Sequence, residues 1–242
     1  MWTIKNLKTN AWAGLKQNYW QAFLASLLLV MVGGSGGASV NWNLNSSDIP
    51  EGFLEAGSAI PPYLIALIAV AVLLGVLFAL AFRVLLGYPL EVGVWKYFIE
   101  GQKKIFDLNH LGFAFNKTRY LDIVKAMLWR AVLNFLWFLL LIIPGIIAFY
   151  AYRMVPFILA NNPNIGYKRA VKLSVQMTGG HKFHIFLLDL SFLGWLLLGF
   201  LALFVGVLFV LPYINATNAE LYAVLRQSAI EKGLCTSEEL PA

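Results

Sequence analysis

Four long apolar segments constrain the fold of this chain more than any other feature. They cover residues 19–39, 60–86, 126–160 and 183–214. A helix crosses the roughly 30 Å hydrocarbon core of a bilayer with about 20 apolar residues, so each segment is long enough for a crossing. Of the 242 residues, 60% are hydrophobic and only 12% are charged, which excludes a soluble globular protein because too few polar groups face water. We therefore predict an all-α integral membrane protein.

Two of these segments are too long for one crossing. As a single helix, residues 126–160 would measure about 52 Å, and Pro144-Gly145 interrupts their middle. Proline breaks the hydrogen-bond ladder of a helix and glycine permits a turn, so we predict a hairpin there. We place another hairpin near Leu198-Gly199. The prediction is a single membrane domain over residues 1–242 with six transmembrane helices in three hairpins, at residues 19–39, 60–86, 126–143, 146–160, 183–198 and 200–217.

The distribution of basic residues orients these helices. Seven Lys and Arg residues lie in segment 83–125 and five in segment 153–182, whereas segment 33–62 contains none. With six crossings and a cytoplasmic N-terminus, every basic loop lies in the cytoplasm, as the positive-inside rule requires. We predict a plasma-membrane protein with both termini in the cytoplasm and an outer loop, 33–60, that is flexible or forms a short flap. The net charge of +6 then favours anionic lipid of the inner leaflet as partner, and it requires no nucleic acid.

The alternative for the first apolar segment is a cleaved signal peptide. Lysines, an apolar core and a run of small residues have the same order in such peptides. However, 18 residues precede the apolar core, which is long for the charged region of a signal peptide. A retained helix is therefore the preferred interpretation.

Two further segments have amphipathic patterns. In residues 1–18, Ile4, Leu7, Ala11 and Leu15 recur at helical spacing. The segment 164–178 follows a cap at Asn162 and is predicted to be a second helix with a narrow basic face. We expect both helices to lie on the cytoplasmic membrane surface. The candidate lipid- or partner-binding face consists of Lys168, Arg169, Lys172 and Lys182.

Asp189 is the most informative polar residue in the apolar segments. A carboxylate within a membrane helix costs about 2.5–3.5 kcal/mol on insertion scales, so it should face other helices and have a partner. Arg83, Arg130 and Arg153 lie at comparable depth in other predicted helices. The pattern is typical of an ion or proton relay, or of a buried ion pair that fixes helix register.

A second polar set follows the same two interpretations. Its members are Asn134, Asn215, Thr217, Asn218 and Glu220. Amide side chains either line a cavity in a transporter or join membrane helices by hydrogen bonds. Separately, Pro89 and Glu91 interrupt the end of the predicted 60–86 helix, which indicates a hinge or a helix end followed by a surface helix.

Several phrases of the sequence resemble a known family. They are IIPGIIAFYAYRMVPFILANNP, KLSVQMTGGHKFHIFLLDLSFLGW and LPYINATNAELY, with LLGYPLEVG and AWAGLKQNYWQAFLASLLL earlier in the chain. The chain is similar over nearly its whole length to polytopic membrane proteins of Gram-positive bacteria known as domain of unknown function 975. His181 and Phe183 depart from the usual pattern. The resemblance implies a multi-helix fold in the plasma membrane, and it implies no activity and no catalytic residue.

The sequence contains none of the common catalytic motifs, such as GxSxG, a P-loop, GxGxxG or CxxC. His181 and His184 lack further ligands for a metal, and Cys235 is the only cysteine. We therefore expect no enzyme, no catalytic residue, no cofactor and no metal.

Two functional classes are left open. The first is an accessory or scaffold protein that binds lipid, a membrane partner or a second copy of itself, a role that includes protection against membrane-active peptides. Small residues at Ala71, Gly75 and Ala79 would permit close packing of a partner helix. The alternative is a small transporter or permeation pathway that uses Asp189 and Arg130.

Overall fold

The computed structural model describes residues 2–16, 18–33, 61–201 and 205–241, and within these ranges the protein is all-α, as predicted. The described residues form ten α-helices and no strand. A π-helical turn, Arg83–Gly87, joins α3 to α4, and a 3-10 helix, Leu108–Phe115, precedes α5. The helices are α1 (Ile4–Leu15), α2 (Tyr19–Met31), α3 (Pro62–Phe82), α4 (Tyr88–Gln102), α5 (Lys117–Leu140), α6 (Ile142–Ala151), α7 (Val155–Asn161), α8 (Tyr167–Thr178), α9 (Lys182–Leu201) and α10 (Val205–Glu231).

Four helical stretches among the described residues are long and apolar enough to cross a membrane. They are Tyr63–Gln102, Lys117–Leu140, Ile142–Asn161 and Lys182–Gly199. The helix α2 is apolar but shorter. Helix α10 runs well past the predicted end at residue 217. The fold therefore supports a membrane protein, with four rather than six helices that meet both criteria. The predicted outer loop lies outside the described residues from residue 34 onward.

The helical backbone of the third apolar segment is interrupted earlier than predicted. The backbone is extended at Leu141 (φ −161°, ψ 146°), between α5 and α6. Pro144 lies in the first turn of α6, where a proline loses no helical hydrogen bond. A Cβ atom at Gly145 would lie 2.6 Å from the ring of Phe138, so glycine is required by the close approach of the two helices. The interruption therefore precedes Pro144-Gly145.

Helices α9 and α10 pack closely against each other. A Cβ atom at Gly199 would lie 2.7 Å from the backbone nitrogen of Val207. Helix α9 ends at Leu201 and α10 begins at Val205, so the break follows the predicted position, Leu198-Gly199, by a few residues. Residues 202–204 lie outside the described ranges.

The predicted pairing of helices 19–39 and 60–86 is not confirmed. In an antiparallel hairpin the end of the first helix lies beside the start of the second. Instead, the carbonyl of Val32, at the end of α2, accepts a hydrogen bond from Arg83, at the end of α3. Helix α2 packs on α10 and α4, and every described side chain of α3 from Tyr63 to Phe82 is exposed.

The buried core lies where α4, α7 and α10 meet. Every residue from Val155 to Ala160 of α7 is buried. The ring of Phe157 lies 4.2 Å from that of Trp95 and 5.4 Å from that of Tyr222, measured between centroids. Helix α1 also belongs to this bundle, since Leu7, Ala11 and Leu15 are buried and α1 packs along α10.

The contact between α4 and the 3-10 helix predicts a strong effect of substituting Gly93. A Cβ atom there would overlap the carbonyl oxygen of Leu111 and lie 2.9 Å from its carbonyl carbon. We expect Gly93→Ala to lower the free energy of unfolding by about 1–3 kcal/mol through overpacking. Thermal unfolding in detergent measures this change.

Gly75→Ala on α3 is the matched control, because nothing lies within 4 Å of a Cβ atom at Gly75. Alanine is a better helix former than glycine, so this variant should be neutral or slightly stabilised. Equal unfolding temperatures for the two variants would contradict the predicted contact.

Candidate functional site

A buried carboxylate, Glu91, lies on α4 between two arginines. The π-helical turn before α4 accommodates Pro89, whose missing N–H would otherwise interrupt the α-helical ladder. The helix therefore continues through Pro89, and Glu91 points into the bundle with no exposed side-chain surface. The sequence-based interpretation of Pro89 and Glu91 as a helix end followed by a separate surface helix was wrong for this reason.

The Glu91 cluster consists of Arg83, Glu91 and Arg130. The guanidinium of Arg83 donates to Glu91 Oε2 at 2.7 Å, and that of Arg130 donates to Oε1 at 3.3 Å. The side chains of Arg83 and Arg130 are 28% and 9% exposed. Arg83 also donates to the carbonyl of Val32. The cluster therefore connects α2, α4, α5 and the π-helical turn.

Two buried polar atoms on α5 have no hydrogen-bond partner among the described residues. They are Nε of Arg130 and Oδ1 of Asn134, one helical turn apart on the same face. Asn134 thus lies on the same face of α5 as Arg130 of the Glu91 cluster.

The Asp189 cluster consists of Tyr150, Arg153, Asp189 and Asn218. Arg153 binds Asp189 with both ends of its planar fork, at 2.5 Å to Oδ2 and 2.8 Å to Oδ1. The Tyr150 hydroxyl donates to Oδ2 at 3.0 Å, and Arg153 also donates to Asn218 Oδ1 at 2.8 Å. Both carboxylate oxygens accept hydrogen bonds from protein groups. The cluster connects the end of α6 to α9 and α10.

The remaining predicted polar residues lie elsewhere in the bundle. Asn215 donates to the Ser26 hydroxyl at 2.9 Å and so joins α10 to α2. Glu220 borders a small cavity that Gln102 also lines, and burial raises the pKa of Glu220. Glu220 has no hydrogen-bond partner in the described part of the chain. The predicted polar residues therefore lie at several positions in the bundle, namely the Glu91 cluster, the Asp189 cluster and separate positions on α5 and α10.

Sequence reasoning missed Glu91 as a site residue, and also Tyr150 and Ser26. The available signal for Glu91 was a single acid in an otherwise apolar stretch that continues from a long membrane helix. Chemically, each cluster neutralises a carboxylate with guanidinium groups and joins helices that are distant in sequence. Such an arrangement fixes helix positions.

Helix α8 presents two lysines of the predicted basic face to solvent. It begins at Tyr167, three residues after the predicted start, because Asn162 and Asn164 form a turn and Gly166 has a φ of +84°. Lys168 and Lys172 are exposed, and no carboxylate pairs with them in the described ranges. On the opposite side, Ala170, Val171, Leu173, Ser174, Met177 and Thr178 are buried.

Arg169 does not belong to this exposed face. It donates to both carboxylate oxygens of Glu239, at 2.6 and 2.8 Å, and to the Leu234 carbonyl at 2.8 Å. These contacts hold a C-terminal strap, residues Leu234–Pro241, against α8. The guanidinium of Arg169 holds the pKa of Glu239 below its usual range. The prediction that Arg169 binds lipid directly does not fit this geometry.

Other side chains also hold the strap. Arg226 donates to the Leu240 carbonyl at 2.6 and 2.8 Å, and Asn162 donates to the Glu239 carbonyl at 3.0 Å. Leu240 is fully buried. Cys235 is buried as well, and burial raises the pKa of its thiol.

Several lysines form no ion pair within the described ranges and lie on helices that contact one another. Trp2 contacts His181, so the starts of α1 and α9 lie together, and Trp129 of α5 contacts Tyr167 of α8. We call the following lysines of these helices, together with Lys232 after α10, the basic end. They are Lys5, Lys117, Lys125, Lys168, Lys172, Lys182 and Lys232.

Two cavities of moderate size lie in the bundle. One, of about 440 Å³, is at the basic end, and its lining includes Trp2, His181, Ser228 and Glu231. The other, of about 430 Å³, we call the aromatic cavity. It is lined by Trp12, Tyr19, Trp195, Phe209, Val210 and Tyr213. No group of three or more His, Cys, Asp or Glu side chains suited to a metal occurs in the described ranges.

The comparison with protein families confirms the resemblance for the second half of the chain, and the phrases LLGYPLEVG and AWAGLKQNYWQAFLASLLL lie outside the matched residues. Residues 113–229 match an uncharacterised family described as a protein of unknown function, DUF975. The match covers slightly less than half of the chain, from α5 to α10, with the Asp189 cluster and the basic face of α8 inside the matched residues and Glu91 outside them. No curated protein and no solved structure matches the chain.

The burial of Glu91 predicts that Glu91→Gln is strongly destabilising. Without the carboxylate, the buried guanidinium of Arg130 and the partly exposed one of Arg83 lose this opposite charge, and we expect the free energy of unfolding to fall by about 3–5 kcal/mol. Glu100→Gln is the matched control on the same helix, because Glu100 pairs with Lys96 and Lys103 near the surface. A surface pair contributes about 0–1 kcal/mol. Denaturation in detergent that finds similar losses for both variants would contradict the prediction.

The strap predicts a change in the reactivity of Cys235, the only thiol in the chain. Arg169→Ala removes the guanidinium that binds Glu239, so the strap should open more often. Maleimide labelling of Cys235 at neutral pH should then be about five-fold faster, which corresponds to the loss of one partly exposed ion pair. Lys172→Ala, which removes an unpaired charge from the same helix, should leave the rate unchanged.

The same pair should respond to acid. Because Arg169 lowers the pKa of Glu239, the pair is complete above the ordinary glutamate pKa of about 4.3 and is lost as the pH falls below that value. Labelling with dithiodipyridine, which reacts with thiols in acid, should therefore accelerate in that range, and Arg169→Ala should lack the step. A step of equal size in Arg169→Ala would contradict this assignment.

Proposed function

We propose that this chain, whose residues 113–229 match the domain of unknown function 975, is a non-enzymatic accessory or scaffold protein of the plasma membrane. It binds anionic lipid and a membrane partner, or a second copy of itself. The observation that carries the proposal is the basic end, with its seven lysines that have no carboxylate partner among the described residues. Protection against membrane-active peptides is one form of this role.

Electrostatics supports lipid as the primary ligand of the basic end. A lysine close to an anionic leaflet contributes about 1 kcal/mol to membrane binding, and salt screens this attraction. Lys168 and Lys172 project from α8 on the side opposite its buried residues. The two lysines can therefore contact anionic headgroups at the membrane surface, while the apolar side of α8 packs against the bundle.

The proposed topology places the basic end in the cytoplasm. The contact of Trp2 with His181, and the cavity that Trp2 shares with Ser228, put both ends of the described chain at this end of the bundle. The positive-inside rule assigns that end to the cytoplasm. The proposal of six crossings rests on the charge pattern. Helix α2, at about 20 Å, is shorter than the bilayer core.

Helix α3 supports the second part of the proposal, a membrane partner. All of its described side chains from Tyr63 to Phe82 are exposed, although the helix is long enough to span a bilayer. It therefore offers lipid or another membrane helix a full apolar surface, including the small residues Ala71, Gly75 and Ala79.

Transport through Asp189 and Arg130 is the alternative. A transport cycle would require each of these groups to exchange its partner. Asp189 binds Arg153 and Tyr150, and Arg130 binds Glu91. These ion pairs within the protein favour the accessory class.

Lipid retention tests the proposal. Native mass spectrometry of gently extracted protein should find phosphatidylglycerol bound in preference to phosphatidylcholine. We expect the double variant Lys168→Gln/Lys172→Gln to bind phosphatidylglycerol at the basic end at least tenfold more weakly, since two contributions of about 1 kcal/mol are lost. The control is Lys96→Gln/Lys103→Gln, which removes the same charge from lysines already paired with Glu100. Equal retention by the two double variants would contradict the proposal.

A further inference from the structure

The aromatic cavity has the dimensions and the walls of a site for a hydrocarbon chain. Its volume of about 430 Å³ lies within the range of small-ligand sites, roughly 300–1,000 Å³. Five of its six lining residues are aromatic. The hydroxyl of Tyr19 donates to the Phe209 carbonyl at 2.5 Å and is thus engaged. The cavity therefore suits an apolar chain better than a polar solute.

A cation lies near this cavity, one ring away from its lining. Lys8 lies one helical turn before Trp12 on α1 and hence on the same face. Its ammonium lies 3.9 Å from the centre of the Phe192 ring. The rings of Phe192 and Trp12 both meet Tyr213 edge-on, at 5.5 and 5.9 Å. The Phe192 ring thus connects Lys8 to the Tyr213 wall of the aromatic cavity.

Lys8 has no carboxylate partner among the described residues. Its ammonium donates to the Ser191 carbonyl at 3.0 Å, which uses one of its three donors. The side chain is partly buried, and this burial lowers its pKa. A half-buried ammonium beside an apolar cavity has an unmet preference for an anion.

We infer that the aromatic cavity binds one anionic membrane phospholipid, with an acyl chain between the aromatic walls and the phosphate on Lys8. Charge complementarity selects this occupant over a neutral lipid. The inference rests on the proposed function in that it places the chain in a membrane, but it names a site distinct from the lysines of α8.

Native mass spectrometry of the full chain in neutral detergent tests this site, with dioleoyl phosphatidylglycerol as probe and dioleoyl phosphatidylcholine as the neutral counterpart. We expect one tightly held phosphatidylglycerol. Lys8→Gln should weaken its binding at least five-fold, and Lys8→Arg should restore it. Val210→Trp should abolish it by filling the cavity, whereas Val132→Trp, at an exposed position on α5, should not.

The outcomes separate this inference from the proposed function. If Lys168→Gln/Lys172→Gln loses lipid while Lys8→Gln and Val210→Trp do not, the inference fails and the basic end stands. If Lys8→Gln and Val210→Trp lose lipid while Lys168→Gln/Lys172→Gln does not, the lipid site in the aromatic cavity is supported and the proposed lipid binding by the basic end is contradicted. Equal binding of phosphatidylcholine, or preferential binding of free oleate, would overturn the assignment to an anionic phospholipid. Thermal unfolding of Lys8→Arg and Lys8→Gln shows whether both variants are folded.

Discussion

The ion pairs of Glu91 are the interactions on which the arrangement of the bundle depends. A carboxylate with no exposed surface is tolerable only with opposite charge and hydrogen bonds around it, and Arg83 and Arg130 provide both. Arg83 also satisfies the carbonyl of Val32, one of the four carbonyls that every helix leaves unpaired at its end. Through Arg83 and Arg130, Glu91 therefore joins the end of α2, the π-helical turn between α3 and α4, and helix α5.

Arginine and lysine have separate positions in this protein, and their chemistry explains why. The guanidinium groups of Arg83, Arg130, Arg153, Arg169 and Arg226 all bind groups of the chain itself. A guanidinium is weakly hydrated and forms a planar fork that fits a carboxylate, so burial suits it. An ammonium is strongly hydrated and more often stays at the surface. The arginines consequently hold helices together, while the lysines of the basic end face outward.

The sequence predicted what depends on local pattern and missed what depends on distant contacts. Apolar length was enough for an all-α membrane fold, and the cost of a buried carboxylate was enough to require a partner for Asp189. The sequence did not show which of Arg83, Arg130 and Arg153 pairs with Asp189, because Arg153 reaches Asp189 only through the turn that joins α6 to α7. Glu91 was missed because a proline two residues earlier signals a helix end, and the π-helical turn that removes this signal has no simple sequence pattern.

The prediction for Arg169 failed for the same reason, a contact with a residue that is distant in the sequence. This contact bears on function. Its spacing on α8 places it with Lys168 and Lys172, but its partner Glu239 lies 70 residues away in the strap. The strap thus neutralises Arg169, whereas Lys168 and Lys172 of the same helix keep no carboxylate partner among the described residues. Among the described residues, Glu91, Asp189 and Glu239 pair with arginines inside the protein, and Glu100 pairs with two lysines of its own segment. The lysines of the basic end keep their positive charge, which attracts an anionic surface and loses that attraction in salt.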